Sequence, residues 1–437
     1  MSKKYSLITF GCQMNQHDAE RISGVLEACG WEQSAMLEDS DAVIILTCCV
    51  RESAEQRLYG RLAALKSLKG QKSVLIAVGG CLAQKEGERI FETAPHVDAV
   101  FGTHKYPDIS EILTRAKDGR VCSLVMNGLH IAGVPCKRRQ HFRAWVAITH
   151  GCSNYCSYCV VPFVRGSEES RPFHEIIEEI EMHVAEGVKE INLLGQNVNS
   201  YGRGERDVSF AYLLREIGKR FPEAWIRFMT SHPKDFNQEI AHAIADTPNV
   251  CEYVHLPLQA GSDKVLKGMN RGYTANDYLE KVHILRDLVK NASLATDLIV
   301  GFPGESEQDF QKTLEMVELC RFDAAFTFIY NPRPGTVAAR LSDDVPAEVK
   351  QHRLERLMNL TRYLTAESLR KEVGKEKIAL VYGPSRKDPR RWEARTKENK
   401  IVHFRYNGED LHGKLVKVAI KASGNWSLHG DFLKLMG

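Results

Sequence analysis

Three cysteines lie within ten residues of one another near the middle of the chain, in the segment HGCSNYCSYC. Cys152, Cys156 and Cys159 are separated by three and by two residues. A structural zinc site takes four protein ligands and a disulfide joins two cysteines, so three thiols suit neither. Three thiolates on a 4Fe-4S cluster leave one iron without a protein ligand, and that iron can bind and activate a small molecule. The spacing therefore predicts a cluster with an open iron; the alternative is a zinc site completed by a distant ligand such as His150.

Three further cysteines follow three predicted strands in the first part of the chain. Cys12 comes after SLITF, Cys48 after AVIILT and Cys81 after SVLIAV. Parallel strands end at one edge of a sheet, where such folds bind ligands, so the three thiols should converge on a second cluster with an open iron. The alternative is three unrelated buried thiols. Cys49 could replace Cys48, but neighbours on an extended segment point in opposite directions, so only one of the two is expected to reach the cluster.

Alternating strands and helices must position both groups of cysteines. In residues 1–120 the apolar runs SLITF, AVIILT, SVLIAV and DAVF alternate with helical patterns. Nearly continuous apolar strands between helices predict a doubly wound parallel sheet of the α/β class. The stretch KDGRVCSLVMNGLHIAGVPCKRRQHF loses the helical period and is predicted to be a linker.

The alternation resumes at about Trp145, and six strands are predicted, in WVAITH, EINLLG, WIRFMT, EYVHLPL, ATDLIVG and AAFTFIY. Six units are too few for a closed eight-stranded barrel. Residues 138–367 are therefore expected to form an open six-stranded (βα)6 barrel, with the central cysteines at its C-terminal mouth. Residues 370–437 contain short, alternating, turn-punctuated segments, which predict a small β-barrel.

The composition limits the class of protein. With 437 residues, 43% hydrophobic and 26% charged, the chain is expected to form two to four globular domains. The apolar stretch in the N-terminal segment MSKKYSLITF is too short for a signal peptide, and no run of apolar residues approaches transmembrane length. A cytoplasmic protein without membrane contact is therefore expected. Twelve cysteines then favour metal binding or free thiols over disulfides. From Arg370 onward, 16 Lys and Arg stand against 8 Asp and Glu, which indicates a basic C-terminal module.

The central motif, C-x3-C-x-aromatic-C with Tyr158 before the last cysteine, is similar to the signature of radical S-adenosylmethionine enzymes. In that family the open iron binds the methionine part of S-adenosylmethionine. Reductive cleavage then gives a 5′-deoxyadenosyl radical, which removes hydrogen from an unactivated C–H bond. The resemblance implies S-adenosylmethionine contacts by Tyr158, Gly195, Gln196, Asn197, Asp297 and Gly301. For Gly301 and Gly304 the alternative is an ordinary turn glycine.

The whole chain resembles the methylthiotransferases, which combine an N-terminal three-cysteine domain, a radical S-adenosylmethionine barrel and a C-terminal RNA-binding β-barrel called TRAM. TFGCQMNQHD, TCCVRESAEQ and GCSNYCSYCVVPFVRGSEESR, with Arg165 and Arg171, look like the subgroup that modifies tRNA next to the anticodon. That subgroup methylthiolates carbon 2 of N(6)-dimethylallyladenosine at position 37. Other subgroups modify threonylcarbamoyladenosine in tRNA or an aspartate of a ribosomal protein. By the same resemblance Cys48 takes the ligand place of the family's TC-A-VRE motif and Cys49 the alanine place.

The resemblance also implies the reagents. Two 4Fe-4S clusters are expected, one on Cys12, Cys48 and Cys81 and one on the central cysteines. Two S-adenosylmethionine molecules are expected per reaction, one as methyl donor and one as radical source. We also expect a sulfur species on the auxiliary cluster and an external electron donor. The enzyme is expected to be a monomer. The rival classes are a sulfur-inserting radical enzyme that does not methylate, and a zinc-binding RNA protein without catalysis.

The tail segment SRKDPRRWEARTKENK is the predicted RNA contact. Basic side chains neutralise phosphates, and an interleaved aromatic ring can stack on a base of a loop. The predicted contacts are Arg386, Lys387, Arg390, Arg391 and Trp392. The alternative is a solvated surface on which Trp392 simply plugs the small barrel. The target adenine is expected to turn outward into the mouth of the larger barrel.

Overall fold

The computed structural model describes residues 2–49, 52–126, 131, 133–203 and 208–436. Its first domain contains six strands and five α-helices. They are β1 (Lys3–Thr9), α1 (Gln13–Ala28), β2 (Trp31–Gln33), β3 (Ala42–Thr47), α2 (Glu52–Gln71), β4 (Leu75–Gly80), α3 (Cys81–Glu86), α4 (Arg89–Thr93), β5 (Ala99–Phe101), α5 (Ile109–Arg115) and β6 (Val121–Ser123).

These strands form one parallel sheet in the order β2-β1-β3-β4-β5-β6. The six residues of β3 are all buried, and they alternate between two cores. Ile44 packs in the core beneath α1 and α5, whereas Ile45 packs in the core beneath α2 and α3. The predicted doubly wound parallel sheet is therefore confirmed. The prediction missed two short strands, β2 and β6, and β6 lies within the predicted linker, where three residues are too few to show a period.

The second domain follows with alternating strands and helices. Its elements are β7 (Arg143–Ala147), β8 (Thr149–His150), α6 (Val161–Arg165), β9 (Glu169–Ser170), α7 (Phe173–Ala185), β10 (Glu190–Leu194), α8 (Phe210–Arg220), β11 (Trp225–Phe228), α9 (Gln238–Asp246), β12 (Tyr253–His255), α10 (Asp263–Gly268), α11 (Ala275–Leu288), β13 (Ser293–Val300), α12 (Glu307–Cys320), β14 (Ala324–Ile329) and α13 (Ala347–Arg370). Capping boxes begin α11 at Thr274 and α12 at Ser306, which satisfies backbone N–H groups at those helix ends.

The six predicted barrel strands are all present. Parallel pairing gives the orders β7-β10-β11 and β12-β13-β14, and a parallel bridge between Ile226 and Val250 joins the two sets. β7 and β14 are the outer strands, as expected for an open barrel. No helix among the described residues combines the length and the apolar composition needed to cross a membrane.

The third domain is a closed barrel, in the order β15-β16-β17-β19-β18. Its strands are β15 (Glu376–Pro384), β16 (Arg391–Thr396), β17 (Ile401–Arg405), β18 (Leu415–Ser423) and β19 (Leu428–Leu435). Alternate residues point inward and form one core, which includes Val402, Phe404 and Val418. Leu369, near the end of α13, belongs to the same core, while Leu357 of α13 belongs to the core of the larger barrel. One continuous helix thus connects the two barrels.

Buried polar contacts fix the small barrel against the larger one. Arg227 of β11 forms an ion pair with Glu190 of β10 at 2.6 Å, and both side chains are almost fully buried. Arg227 also donates to the backbone carbonyls of Thr396 and Lys397 in the small barrel, at 2.7 and 3.0 Å. The Tyr382 hydroxyl donates to Glu190 at 2.5 Å. Because burial of these groups without partners would be costly, the contacts define one docking geometry.

A second buried network joins α1 of the first domain to the larger barrel. Glu179 of α7 pairs with Arg21 of α1 and, at 2.8 Å, with Arg171. Burial opposes ionisation of Glu179, but Arg21, His183 and Arg171 outweigh it and hold the pKa of the carboxyl well below its usual range. The first domain and the barrel therefore meet across a charged, fully desolvated interface.

Candidate iron–sulfur site

The barrel thiols, Cys152, Cys156 and Cys159, lie in the loop after β8, at the mouth of the larger barrel. Gly151 begins the loop with φ +69°, and a Cβ there would lie 1.9 Å from the Ser167 carbonyl oxygen, so only glycine fits. The Cys152 N–H donates to the Gly166 carbonyl at 3.1 Å and the Cys159 N–H to the Cys156 carbonyl at 2.9 Å. These bonds fold the loop so that the three thiols become neighbours. Burial and the nearby Cys156 and Cys152 thiols raise the pKa of Cys159 to about 12.

Arg271 supplies a buried positive charge beside the barrel thiols. Its Nη1 donates to Cys156 Sγ at 3.2 Å and to the Tyr158 hydroxyl at 3.4 Å. Its other nitrogens donate to the Pro257 carbonyl and to the Tyr273 hydroxyl, both at 2.9 Å. Thiolate and guanidinium charges compensate each other in such a setting, as binding of an anionic cluster requires. No sequence pattern links Arg271 to these thiols, because it lies 112 positions after Cys159.

The N-terminal thiols, Cys12, Cys48, Cys49 and Cys81, lie together at the carboxyl edge of the first sheet. Cys12 is exposed at the start of α1, and the other three are buried. A hydrogen bond with Cys48 lowers the pKa of Cys12 to about 6. A hydrogen bond with Cys49 lowers the pKa of Cys81, although burial opposes the shift. The expected convergence of Cys12, Cys48 and Cys81 is therefore present in the structure.

Two glycines allow the strand ends to approach so closely. A Cβ on Gly11 would lie 2.5 Å from Cys48 Cβ, and a Cβ on Gly80 would lie 2.6 Å from the Thr47 carbonyl oxygen. Both glycines also have positive φ, of +118° and +93°. The chain thus leaves β1 and β4 in conformations that other residues rarely adopt.

Both Cys48 and Cys49 lie in this group of thiols, so the expectation that only one of them reaches the cluster stays a prediction. Cys48 interacts with Cys12, and Cys49 interacts with Cys81. The alternation of side chains holds for extended backbone, but β3 ends at Thr47 and the chain bends at Cys49. Four thiols, not three, are therefore available at this edge of the sheet.

The two groups of thiols lie near the same boundary between the first domain and the barrel. Cys49 and Cys81 pack in one core with Val160, the residue that follows Cys159. Val160 and Val164, in and before α6, pack in the same core as Leu82 and Ala83 of α3. The loop that carries the barrel thiols therefore leads directly into the contact with the N-terminal thiols.

Arg165, the last residue of α6, crosses this boundary. Its Nε donates to Cys81 Sγ at 3.3 Å. Its Nη2 donates to Asp18 Oδ2 at 2.8 Å and to Asn15 Oδ1 at 3.3 Å. Both groups of thiols thus lie beside a buried arginine, and their donor sets suit anionic clusters held by thiolates. Among the described residues no three His, Cys, Asp or Glu side chains, including those of both thiol groups, converge as ligands around the position of a single metal ion.

The predicted S-adenosylmethionine contacts differ in what they touch. Gln196 has a buried Oε1 without a hydrogen-bond partner among the described residues, as do Ser231 at Oγ and Gln259 at Oε1. These three follow β10, β11 and β12, so unsatisfied polar atoms line the C-terminal mouth of the barrel. Buried polar groups normally have partners, and their lack here fits a polar ligand such as S-adenosylmethionine.

The other predicted contacts are already engaged within the protein. Asn197 donates to Asp235 at 2.7 Å and accepts from the His232 N–H at 3.1 Å. Asp297 Oδ1 lies 3.2 Å from His255 Nε2, an ion-pair distance without hydrogen-bond geometry, since that nitrogen has no hydrogen-bond partner among the described residues. The remaining three residues also form hydrogen bonds within the protein. The Tyr158 hydroxyl accepts from Arg271, and the Gly195 carbonyl accepts from the Thr230 hydroxyl at 2.5 Å. The Gly301 N–H donates to Glu305 at 3.0 Å. Gly301 has φ +73° and no room for a Cβ beside Lys350, which favours the alternative of a turn glycine.

The predicted RNA contacts divide in the same way. Arg386, Lys387 and Arg390 are exposed on the small barrel. Arg391 is half-buried beside His429. Trp392 packs against the barrel core, and its indole N–H donates to the Tyr406 carbonyl at 3.3 Å, which favours the alternative of a plug.

A different tryptophan, which no sequence pattern had indicated as an RNA contact, is exposed. Trp426, in the turn between β18 and β19, is 59% exposed. It borders a cleft of about 220 Å³ together with Phe326 of β14 and Arg362 of α13. The ring of Phe326 lies 5.8 Å from that of His255, so the cleft adjoins the open side of the larger barrel. A lone tryptophan in a turn carried no pattern that could have revealed this.

Comparison with known proteins gives a consistent result along the chain. Residues 4–102 match the uncharacterized protein family UPF0004, residues 146–317 the radical SAM superfamily and residues 370–433 the TRAM domain. A tRNA-2-methylthio-N(6)-dimethylallyladenosine synthase from Carboxydothermus hydrogenoformans is 45% identical over 98% of this chain and 99% of its own length. The enzyme of that name from Acetivibrio thermocellus is 44% identical over 99% of this chain and 91% of its own.

Solved structures resemble the fold at much lower identity. The radical S-adenosylmethionine methyltransferase TsrM from Kitasatospora setae, with cobalamin and a 4Fe-4S cluster bound, is 15% identical, with a TM-score of 0.59. The alignment covers 78% of this chain and 74% of that one. The cobalamin-dependent S-adenosylmethionine radical enzyme OxsB gives a TM-score of 0.52 at 13% identity, over 82% of this chain and 56% of its own. These likenesses concern the fold alone.

Proposed function

The chain belongs to the family of the tRNA-2-methylthio-N(6)-dimethylallyladenosine synthases, and we propose that it replaces the hydrogen on carbon 2 of N(6)-dimethylallyladenosine in tRNA with a methylthio group. The observation that carries this proposal is the packing at one domain boundary, where Cys49 and Cys81 share a core with Val160, the residue after Cys159, and Arg165 donates to Cys81. Forming a C–S bond at an unactivated carbon requires a radical source and a sulfur carrier within reach of one atom. Two distant sites would not meet that requirement.

Each part of the site then has a role. We assign Cys152, Cys156 and Cys159 to a radical S-adenosylmethionine cluster, and Cys12, Cys48 and Cys81 to an auxiliary cluster. When bound, the two clusters and S-adenosylmethionine supply the radical that removes hydrogen and the sulfur that replaces it. Arg271 and Arg165 provide compensating positive charge beside the thiols. Gln196, Ser231 and Gln259 offer the unsatisfied polar atoms that can orient S-adenosylmethionine at the barrel mouth.

The substrate adenine carries a five-carbon dimethylallyl tail. Burial of that tail contributes roughly 3–4 kcal/mol, at about 0.8 kcal/mol per carbon. Threonylcarbamoyladenosine, the substrate of a related subgroup, carries a carboxylate that would need a paired cation in the same place. The family membership favours the apolar substrate. The same proposal includes position 37 as the site of the adenine, two S-adenosylmethionine molecules per product and an external electron donor. It also includes a cytoplasmic, monomeric enzyme with domains at residues 1–120, 138–367 and 370–437.

The direct test is product analysis after anaerobic reconstitution of both clusters. The protein is incubated with S-adenosylmethionine, a reductant and tRNA that carries N(6)-dimethylallyladenosine, and the nucleosides are analysed by mass spectrometry. We expect the 2-methylthio nucleoside, with one S-adenosylhomocysteine and one 5′-deoxyadenosine formed per product. A thiolated nucleoside without the methyl group would indicate the sulfur-inserting class. Product from threonylcarbamoyl tRNA alone would indicate the related subgroup.

We further propose that RNA contacts the small barrel at two places. The exposed Arg386, Lys387 and Arg390 face the phosphates, and Trp426 stacks on a base beside the open side of the larger barrel. Base–aromatic stacking contributes about 1–3 kcal/mol per base, so Trp426→Ala should weaken tRNA binding roughly tenfold. The matched control is Trp392→Phe, which keeps the packed ring and should leave affinity unchanged.

Charge reversal tests the phosphate contacts separately. Replacement of Arg386 and Lys387 by glutamate should flatten the salt dependence of tRNA binding by about 0.7–0.9 in log–log slope for each lost contact. Binding is measured by filter retention or fluorescence at several salt concentrations. An unchanged slope would place the phosphates elsewhere on the protein.

A further inference from the structure

Arg165 belongs to the barrel by sequence but to the N-terminal thiols by contact. It lies six residues after Cys159 and is 5% exposed. Its three side-chain partners, Cys81, Asp18 and Asn15, all come from the first domain.

The chemistry of these contacts differs from that of a simple structural ion pair. The Nη2 of the guanidinium donates to the Asp18 carboxylate, which balances one unit of charge. The Nε–H points at a thiol sulfur, a weak acceptor when protonated and a strong one as a thiolate ligand. The hydrogen bond from this buried arginine to sulfur is therefore strongest when the sulfur is a charged, metal-bound thiolate. The same thiol is one of the three assigned to the auxiliary cluster.

We propose that Arg165 is a positioning residue that hydrogen-bonds the Cys81 ligand and raises the reduction potential of the auxiliary cluster. This inference rests on the proposed function, because it takes the cluster at Cys12, Cys48 and Cys81 as given. Reduction adds negative charge, and a buried cation with an N–H···S bond stabilises the reduced form more than the oxidised form. The barrel thereby sets a property of a cluster bound in the neighbouring domain.

The test isolates the auxiliary cluster in the full-length chain. Cys152, Cys156 and Cys159 are replaced by alanine, and Arg165→Gln, Arg165→Lys or Arg171→Lys is added to that background. Arg171 is the matched control, since it is an equally buried arginine near the same loop that pairs with Glu179 and donates to the Ala147 carbonyl instead of sulfur. Iron content is measured first, and the midpoint potential is then obtained by a redox titration followed by electron paramagnetic resonance.

We expect a more negative midpoint for Arg165→Gln, a smaller shift for Arg165→Lys and no shift for Arg171→Lys. A role confined to holding the domains together would not move the midpoint at equal iron content. Loss of the remaining iron in both Arg165 variants, with retention in Arg171→Lys, also supports the contact, because the ligand then depends on it. Equal midpoints and equal iron in all variants overturn the inference.

Failure of the proposed function gives a different result. In that case the alanine background without any arginine substitution holds no iron, so there is no auxiliary cluster to titrate. Iron in the background with an unmoved midpoint contradicts only the role of Arg165.

Discussion

The two groups of cysteines are built in opposite ways. The barrel thiols come from one loop of ten residues, folded by a glycine and by its own backbone hydrogen bonds. The N-terminal thiols come from the ends of three strands that are 33 and 36 residues apart in sequence, and they also touch an arginine of another domain. The first group depends on local chain geometry, whereas the second depends on the whole sheet and on the domain interface.

The largest expected effect separates the two groups directly. Alanine at Cys152, Cys156 and Cys159, or alanine at Cys12, Cys48 and Cys81, should each lower the iron content from about eight to about four per chain. Either triple variant should abolish formation of the methylthio nucleoside, because one lacks the radical source and the other the sulfur carrier. The measurement is anaerobic iron and sulfide analysis of the reconstituted proteins. Four irons in the unsubstituted protein would mean that only one group binds a cluster.

The next test decides which of two neighbouring N-terminal thiols, Cys48 or Cys49, is a cluster ligand. Cys48→Ala should lose about four irons and Cys49→Ala should keep about eight, because the family resemblance places Cys48 at the ligand position. The same iron analysis, run on both single variants, decides the question. The reverse pattern would make Cys49 the ligand. Full iron in both variants would show that the two thiols substitute for each other, which the structure allows, since both lie in the group.

A change at the interface should affect the two groups unequally. Glu179→Gln leaves Arg21 and Arg171 without their shared carboxylate in a buried setting, which typically costs 3–5 kcal/mol in the free energy of unfolding, about 4 here. Because Arg21 lies on α1, which begins next to Cys12, a chelator should remove iron faster from the N-terminal thiols than from the barrel thiols. The control is Glu186→Gln, whose exposed pair with Arg138 contributes about 0–1 kcal/mol. Equal release from both groups would contradict the comparison.

Acid should remove the same stabilisation gradually. The pKa of Glu179 in the folded chain is lowered, so its contribution is present above the unfolded pKa of about 4.3 and is lost as the pH falls below that value. The difference in unfolding free energy between the parent protein and Glu179→Gln should therefore shrink from pH 7 towards pH 3. Urea unfolding of the cluster-free proteins at several pH values measures it. A difference that stays constant with pH would exclude ionisation of Glu179 as its source.

The same contrast explains what could be predicted from the sequence. Spacing alone identified the barrel thiols, because their geometry is encoded within ten residues. The N-terminal thiols required the further rule that parallel strands end at one edge, and the rule held for Cys12, Cys48 and Cys81. The separate rule that neighbouring side chains of an extended strand point in opposite directions does not apply at Cys49, since β3 ends before that residue.

The contacts that the sequence did not reveal are those set by tertiary structure. Arg165 and Arg271 reach sulfur from positions 84 and 115 residues away in sequence, distances over which no pattern is visible. Trp392 and Trp426 are equally aromatic in sequence, and only the closed barrel decides that the first is packed and the second exposed. Asn197 matched the expected motif position, but its amide is already satisfied by Asp235 and the His232 backbone.

The docking of the small barrel has a consequence for how a substrate is chosen. The small barrel is fixed against the larger barrel by the buried contacts of Arg227, Glu190 and Tyr382. Helix α13 also contributes side chains to the cores of both barrels. A module held in one orientation keeps a constant span between its basic surface and the barrel mouth. An RNA bound by its backbone on the small barrel would therefore present a nucleotide at one fixed distance from the bound phosphates. Selection of the modified nucleotide would then depend on its distance along the RNA as much as on the identity of its base.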